Sequence, residues 1–186
     1  LAQVGSPRLV ILLTCCGGGT AGAATTLLEA LRTKGIATLV FAVAPFAFEG
    51  DDRKRAANVL LPIMETRADA LTRVSLDALV GTEAATLPAA EAFAHAADRL
   101  AAGLGLLWTL VAHPGFIAFD AEHFRAFLTH DVEGGLPFCF ADVSVSGENR
   151  AKIALNALRE DPRFHVNGVD RLANAAQLIV GILAGP

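Results

Sequence analysis

The 186-residue chain lacks a hydrophobic run long enough to cross a membrane, although 53% of its residues are hydrophobic and its mean hydropathy is +0.48. Its best candidate, Leu100–Ala112, ends at the break His113-Pro-Gly115. That segment is shorter than the roughly 20 residues that a bilayer-spanning helix needs. We therefore predict a buried core helix there and no direct insertion into a membrane.

Excess positive charge and paired cysteines are also missing. The net charge of −4 and pI near 5.7 provide no basic field to attract nucleic acid or anionic lipid. Cys15, Cys16 and Cys139 form neither a disulfide framework nor a CxxC metal site. We predict reduced thiols, cytoplasmic localisation, no nucleic-acid partner and no metal site.

The first residue is Leu1 and the one methionine is Met64, which indicates a trimmed chain. Apolar runs at Leu9–Leu13 and Leu178–Leu183 resemble central strands that need partners. We expect core neighbours to be missing at both ends.

The first half of the chain alternates strands and helices. The predicted strands are Arg8–Thr14, Ile36–Val43 and Asp69–Ser75; the predicted helices are Gly22–Lys34 and Asp51–Arg67, the second with a kink at Pro62. This alternation predicts an α/β fold with a parallel sheet flanked by helices on both faces.

A long helix from Pro88 to His113 follows, and its C-terminal half is apolar all round, so we expect protein to enclose it on several sides. The remaining predicted elements are a helix at Ala121–Thr129, a strand at Leu136–Val143, a helix at Gly147–Glu160 capped by Ser146, and a strand at Gln177–Ala184.

A glycine cluster, Gly17-Gly-Gly-Thr-Ala-Gly-Ala-Ala24, joins the first strand to the first helix. Exposed backbone N–H groups at such a turn can hold a phosphate chain, but a tight turn without any ligand has the same pattern. The cluster matches neither the Rossmann glycine spacing nor the Walker sequence, which argues against a nicotinamide-dependent enzyme.

This cluster and the motifs after it form an ordered set that resembles the FtsZ branch of the tubulin and FtsZ family. The further motifs are Pro45-Phe-Ala-Phe-Glu-Gly50 with Arg53, Glu91–Asp98, His113-Pro-Gly115, Ser146-Gly-Glu-Asn-Arg150 and Leu172–Val180. The resemblance covers nearly the whole chain and leaves out the family's N-terminal third and the end of its C-terminal domain.

The resemblance implies part of a guanine-nucleotide-binding domain at 1–87, a central core helix at 88–113 and part of a C-terminal α+β domain at 114–186. It also implies a cell-division protein that polymerises head to tail and hydrolyses GTP where subunits meet. GTP or GDP would be the cofactor, with Mg²⁺ entering through the nucleotide, and the partner would be a second copy of the chain.

Carried over by position, the resemblance assigns the phosphates to a loop comprising Gly17, Gly18, Gly19, Thr20, Ala21 and Gly22. Glu49 and Arg53 would approach the ribose and a phosphate. Phe93 would stack on guanine, and Asp98 would accept hydrogen bonds from the guanine N–H groups. The alternatives are a local salt bridge for Glu49 and Arg53, a core aromatic for Phe93, and a solvated helix face or a pair with Arg99 for Asp98.

The family's catalytic loop corresponds to Ala118-Phe-Asp-Ala-Glu-His123. Asp120 is kept, Ala118 replaces the family's asparagine, and His123 replaces its second aspartate with Glu122 alongside. Asp120 and His123 stand three apart at a helix start, so they can share a face and orient water. Asp120 could equally be an N-cap alone.

A non-catalytic structural or regulatory paralogue with weak or no nucleotide binding is the alternative function. Four residues favour it. Leu76 and Ala97 stand where the family presents side chains that hydrogen-bond guanine, and Ala118 and His123 stand where its catalytic loop has an asparagine and an aspartate. Glu49, Arg53 and Phe93 favour retained binding.

Overall fold

The structure is a computed structural model that describes residues 7–82, 86–113, 115–117, 119–129, 136–166 and 168–183. Its main sheet has four parallel strands in the order β1 to β4. They are β1 (Leu9–Cys15), β2 (Ala37–Ala44), β3 (Ala70–Ser75) and the two-residue β4 (Leu136–Pro137). The predicted parallel sheet is confirmed.

Helices cover both faces of this sheet. They are α1 (Thr20–Thr33), α2 (Asp51–Arg67), α3 (Leu76–Val80), α4 (Ala89–Ala112), α5 (Ala121–Leu128) and α6 (Arg150–Arg159). Helix α1 ends before Gly35, which has the positive φ of 65° that the sequence predicts for its cap. Helix α2 continues through Pro62 without a break.

The central strand β2 explains the two-sided architecture. Its alternate residues Val40 and Ala42 pack with α1 and α2, while Leu39 and Phe41 pack with α4 and α5. Residues Ala37 to Val43 are all buried, as expected for a parallel strand with both faces covered.

The long helix α4 has the predicted bounds to within one residue, but the described residues enclose it on one side only. Leu107 is buried against the sheet, whereas the neighbouring Trp108 is 62% exposed. The expectation of enclosure on several sides is therefore wrong for the described part of the chain, because the sheet contacts a single face of α4.

Two predicted strands do not form as expected. The strand at Leu136–Val143 pairs with β3 over Leu136–Pro137 alone, because the chain then turns to pack on α4 at Gly103. Residues 177–183 of the strand at Gln177–Ala184 form no ladder, although Ile179 faces the core while its neighbours Leu178 and Val180 face outward; Ala184 lies outside the described residues.

The helix predicted from Gly147 begins later, at Arg150, and its N-cap is Asn149 rather than Ser146. Asn149 has a left-handed φ of 57°, which asparagine tolerates better than most residues. A small antiparallel pair, β5 (His165–Val166) and β6 (Val169–Asp170), follows α6. Among the described helices, none has the combined length and apolarity needed to span a bilayer.

Two glycines of α4 offer a matched test of how closely residues 140–142 approach this helix. A Cβ on Gly103 would stand 3.0 Å from a ring carbon of Phe140 and 3.1 Å from Oδ1 of Asp142, whereas one on Gly105 would meet no described atom within 4 Å. Alanine in a helix is favoured over glycine by about 1 kcal/mol.

We expect Gly105→Ala to raise the free energy of unfolding by about 0.5–1 kcal/mol. The free energy of unfolding of Gly103→Ala should be at least about 1 kcal/mol lower than that of Gly105→Ala. Urea unfolding of the two variants measures the difference. An equal gain for both would contradict the close approach of residues 140–142 to α4.

Candidate functional site

The glycine loop lies between the carboxyl end of β1 and the start of α1. Gly17 is held close to the segment after β2: a Cβ there would stand 3.5 Å from Cβ of Pro45 in the loop and 3.1 Å from Cβ of Arg53 in the first turn of α2. Around Gly18, Gly19 and Gly22, no described atom comes within 4 Å of a corresponding Cβ position. The loop is thus packed at Gly17 and open at its other three glycines, as a phosphate-binding turn would be.

The residues that flank these glycines serve the core. Ala21 is fully buried, so its backbone alone can contribute to a site, while Thr20 begins α1 and is exposed. Burial and the neighbouring Cys15 raise the pKa of the Cys16 thiol to about 11. Cys16 therefore stays protonated at neutral pH and packs as a small apolar residue.

Glu49 and Arg53 form the local ion pair that the sequence left open. One carboxylate oxygen of Glu49 accepts from the Phe46 backbone N–H at 2.8 Å, and the other accepts from Nη1 of Arg53 at 2.9 Å. The Glu49 side chain is 10% exposed and that of Arg53 is 59% exposed. The guanidinium is thus fixed in orientation while much of it stays accessible.

Phe93 belongs to a cluster of three aromatic rings. Its ring meets that of Phe46 edge-on at 5.1 Å and that of Phe48 edge-on at 5.9 Å, while Phe46 and Phe48 stack at 4.7 Å. Phe46 is fully buried, but Phe48 and Phe93 are 48% and 43% exposed. Two accessible ring surfaces therefore lie beside the Glu49–Arg53 pair.

Phe46 and Phe48 were not predicted as site residues, although they stand in the same short motif as Glu49. The available signal was their alternation on either side of Ala47, directly after a buried strand. The mutual stacking of their rings depends on the turn at Ala47–Glu49, which periodicity alone does not reveal.

Asp98 stands apart from this aromatic cluster. At about 100° per residue, Asp98 lies about 140° around α4 from Phe93, on the side away from the buried Ala92 and Ala96. It is exposed and has no ion-pair partner, Arg99 included, among the residues described. Leu76, at the start of α3, packs against the apolar cluster around Phe46.

The loop after α4 places Asp120 as the N-cap of α5. Its Oδ1 accepts from the backbone N–H groups of Glu122 at 2.9 Å and His123 at 3.0 Å, and lies 2.8 Å from Nδ1 of His123. Hydrogen bonds from the backbone and ring of His123 lower the pKa of Asp120. The predicted sharing of a face by Asp120 and His123 matches this contact, while Ala118 lies outside the described residues.

Glu122 pairs with two arginines, although its side chain is still 46% exposed. One carboxylate oxygen pairs with Nη1 of Arg8 at 3.0 Å and the other with Nε of Arg125 at 3.1 Å. Arg8 directly precedes β1, so this pair attaches the start of α5 to the amino end of that strand.

The candidate residues therefore form two groups. The glycine-loop site comprises residues 17–22, Glu49, Arg53 and Phe93, and lies at the carboxyl ends of β1 and β2. The Asp120 site comprises Asp120, Glu122 and His123, and lies at the amino end of β1. The seven residues of β1 separate them by about 20 Å, so one chain does not bring them together.

Within the described ranges, no group of three or more His, Cys, Asp or Glu side chains is placed to hold a metal ion. The residues at the glycine loop supply backbone N–H groups and a guanidinium, which are ligands for phosphate rather than for Mg²⁺.

Solved structures give the class of protein first: the chain has the fold of the tubulin-like proteins FtsZ and CetZ. FtsZ from M. jannaschii, solved as an empty dimer, matches 69% of this chain and 37% of its own with a TM-score of 0.63 and 25% identity. CetZ from Methanosaeta thermophila matches 68% of this chain with a TM-score of 0.57 and 21% identity, which shows the fold alone.

Curated relatives then indicate which branch of this class the chain resembles. The cell division protein FtsZ of Pseudomonas putida is 31% identical over 169 residues, and that of Pseudomonas aeruginosa is equally similar; each match covers 89% of this chain. These matches confirm the resemblance to the FtsZ branch of the family. The chain spans about 40% of the length of these relatives, and no protein-family profile matches it.

The role of Asp120 as a cap can be separated from its charge. We expect Asp120→Ala to lower the melting temperature, because it removes the side-chain acceptor at the start of α5. Asp120→Asn should retain most of the stabilisation by the cap, because asparagine also caps helices well. Thermal melts followed by circular dichroism at pH 7 compare the two variants with the parent.

The lowered pKa of Asp120 also predicts how the stability of the protein depends on pH. The folded-state pKa is below the ordinary 3.8, so the stabilisation by ionised Asp120 is present above pH 3.8 and is lost as pH falls through the folded value. The difference in melting temperature between parent and Asp120→Ala should shrink over that range. A constant difference, or an Asn variant as unstable as the Ala variant, would contradict the assignment.

Proposed function

We propose that this chain is part of an FtsZ-like protein that binds guanine nucleotide and assembles head to tail, with GTP hydrolysed where subunits meet. Residues 1–87 would be part of the nucleotide-binding domain, 88–113 the central core helix, and 114–186 part of the C-terminal domain. The protein would act in the cytoplasm in cell division, with a second copy of itself as its partner.

The separation of the two sites along β1 carries this proposal. The glycine-loop site has backbone N–H groups that can donate to a phosphate, a fixed guanidinium and exposed rings, but the described part of it includes no carboxylate free to orient water. The Asp120 site has such a group at the opposite end of the sheet. Two complementary half-sites at opposite ends form one complete site when the same surfaces meet repeatedly, which is a heterologous contact that builds a filament.

A catalytic Asp120 would act on the neighbouring subunit's nucleotide. Its bond with His123 holds the carboxylate at the helix start, and the low pKa of Asp120 keeps it ionised at neutral pH. An ionised carboxylate 2.8 Å from the imidazole can orient water through itself or through the ring. Glu122 is less available, because Arg8 and Arg125 occupy both of its oxygens.

The non-catalytic paralogue remains the second candidate, and two observations favour it. Asp98 lies on the solvent side of α4, away from Phe93, and Leu76 is packed into an apolar cluster rather than presented to a base. A protein of this kind would still use both ends of the sheet as assembly surfaces. Direct nucleotide binding separates the two candidates.

We expect full-length protein to bind GTP more tightly than ATP, and Phe93→Ala to weaken GTP binding by about tenfold, since base–aromatic stacking contributes about 1–3 kcal/mol. Calorimetric titration of the isolated subunit measures both affinities. Phe116→Ala is the control, because Phe116 is a fully exposed ring in the loop after α4, outside the glycine-loop site.

The same titration examines Asp98. If Asp98 accepts hydrogen bonds from guanine as the resemblance implies, Asp98→Ala will reduce GTP affinity and leave ATP affinity unchanged, because adenine does not present the paired N–H donors of guanine. Unchanged GTP affinity would assign Asp98 to the solvated face of α4. Absence of binding by either nucleotide would favour the non-catalytic paralogue.

Turnover should be slow and should rise with protein concentration, because each complete site needs two subunits. Asp120→Asn keeps the helix cap but removes the carboxylate, so we expect hydrolysis to fall at least about 100-fold while GTP binding by isolated subunits stays unchanged. His123→Asp, which restores the family's second carboxylate, should raise turnover. Phosphate release measured over a range of protein concentrations tests all three statements.

Two outcomes would refute catalysis across the subunit contact. One is hydrolysis by Asp120→Asn at the parent's rate. The other is turnover per subunit that does not depend on protein concentration.

A further inference from the structure

A cavity of about 320 Å³ lies between β3, α4 and the segment that follows β4. Its volume is within the range of small-molecule sites. Much of its wall is apolar and includes Phe41, Leu71, Leu100, Leu104, Phe138 and Phe140. None of the residues assigned to the glycine-loop site or to the Asp120 site lines it.

Four arginines reach this cavity, and two of them are neutralised by carboxylates. Arg73 pairs with Glu65 at 2.7 Å. Arg163 binds Asp142 at 2.8 Å and donates to both oxygens of Asp161.

The other two arginines, Arg99 on α4 and Arg171 after β6, have no carboxylate within 4.0 Å among the residues described. The carboxylates that line the cavity are Glu65 and Asp142, both already paired. The cavity therefore has two uncompensated positive charges beside an apolar wall.

The guanidinium of Arg171 is incompletely hydrogen-bonded. Its Nε is buried and has no hydrogen-bond partner within the described part of the chain. The neighbouring Cys139 lines the cavity and its thiol hydrogen-bonds the Arg171 side chain, but burial raises the pKa of this thiol, so at neutral pH it brings no negative charge and Nε stays without an acceptor. A buried guanidinium N–H without an acceptor is costly, and an anion is the acceptor that relieves it best.

We propose that this cavity binds a small amphipathic carboxylate, with the carboxylate beside Arg171 and Arg99 and the apolar body against Phe138, Phe140 and Leu104. The volume has room for about ten non-hydrogen atoms, at roughly 30 Å³ for each. Such a ligand supplies the acceptor for Nε of Arg171 and covers apolar wall at the same time. The proposal is independent of nucleotide binding, since it uses different residues.

The probe pair is phenylacetate and its neutral amide, phenylacetamide, which have nearly the same shape but differ in charge. Binding to the full chain is measured by ligand-observed NMR and by calorimetry. We expect the carboxylate to bind at least tenfold more tightly than the amide. Arg171→Gln and Arg99→Gln should each remove about tenfold of the carboxylate's affinity and leave that of the amide unchanged.

Arg159→Gln is the matched control, because Arg159 is an exposed arginine at the end of α6 that does not line the cavity. It should leave carboxylate binding unchanged. Arg99 is also exposed, so Arg99→Gln should fold normally even if the partly buried Arg171 does not tolerate substitution. Thermal melts confirm that each variant is folded.

Three results would overturn the proposal. The first is equal affinity for the acid and the amide, and the second is an equal loss in Arg159→Gln, which would indicate a general charge effect. The third is the absence of carboxylate binding by the parent protein.

Discussion

Burial of β2 on both faces is the constraint on which the rest of the structure depends. Val40 and Ala42 require α1 and α2 on one side, and Leu39 and Phe41 require α4 and α5 on the other. A shift of one residue in its pairing with β1 would exchange these two sets. The register also brings the carboxyl ends of β1 and β2 together, so Gly17 meets the residues that follow β2.

Two of the charged candidate residues, Glu49 and Asp120, are already engaged in local structure. Glu49 closes the turn after β2 and Asp120 begins α5, each with a backbone N–H as one of its donors. Local bonds of this kind lock side chains in place, which reduces the reorganisation needed when a ligand arrives. A structural role and a functional role are therefore compatible at both positions, and the proposed substitutions separate them.

The predictability of each feature depended on the range of the interaction behind it. The apolar runs of β1 and β2, the left-handed Gly35 and the spacing of Asp120 and His123 depend on neighbours in sequence, and sequence patterns captured them. The end of β4 could not be predicted, because Phe140 and Asp142 leave the sheet to pack on Gly103, far away in the chain. The pairing of Arg163 with Asp142 likewise joins residues 21 positions apart.

The ion pair between Arg8 and Glu122 has a mechanical consequence. It anchors α5 to one end of β1, while the glycine loop is continuous with the other end. The length of β1 therefore sets the distance between the two proposed half-sites. An extended backbone has almost no compliance along its length. In a head-to-tail filament, the axial repeat would thus be set in part by the number of residues in β1, and a two-residue insertion there would lengthen this span by about 7 Å.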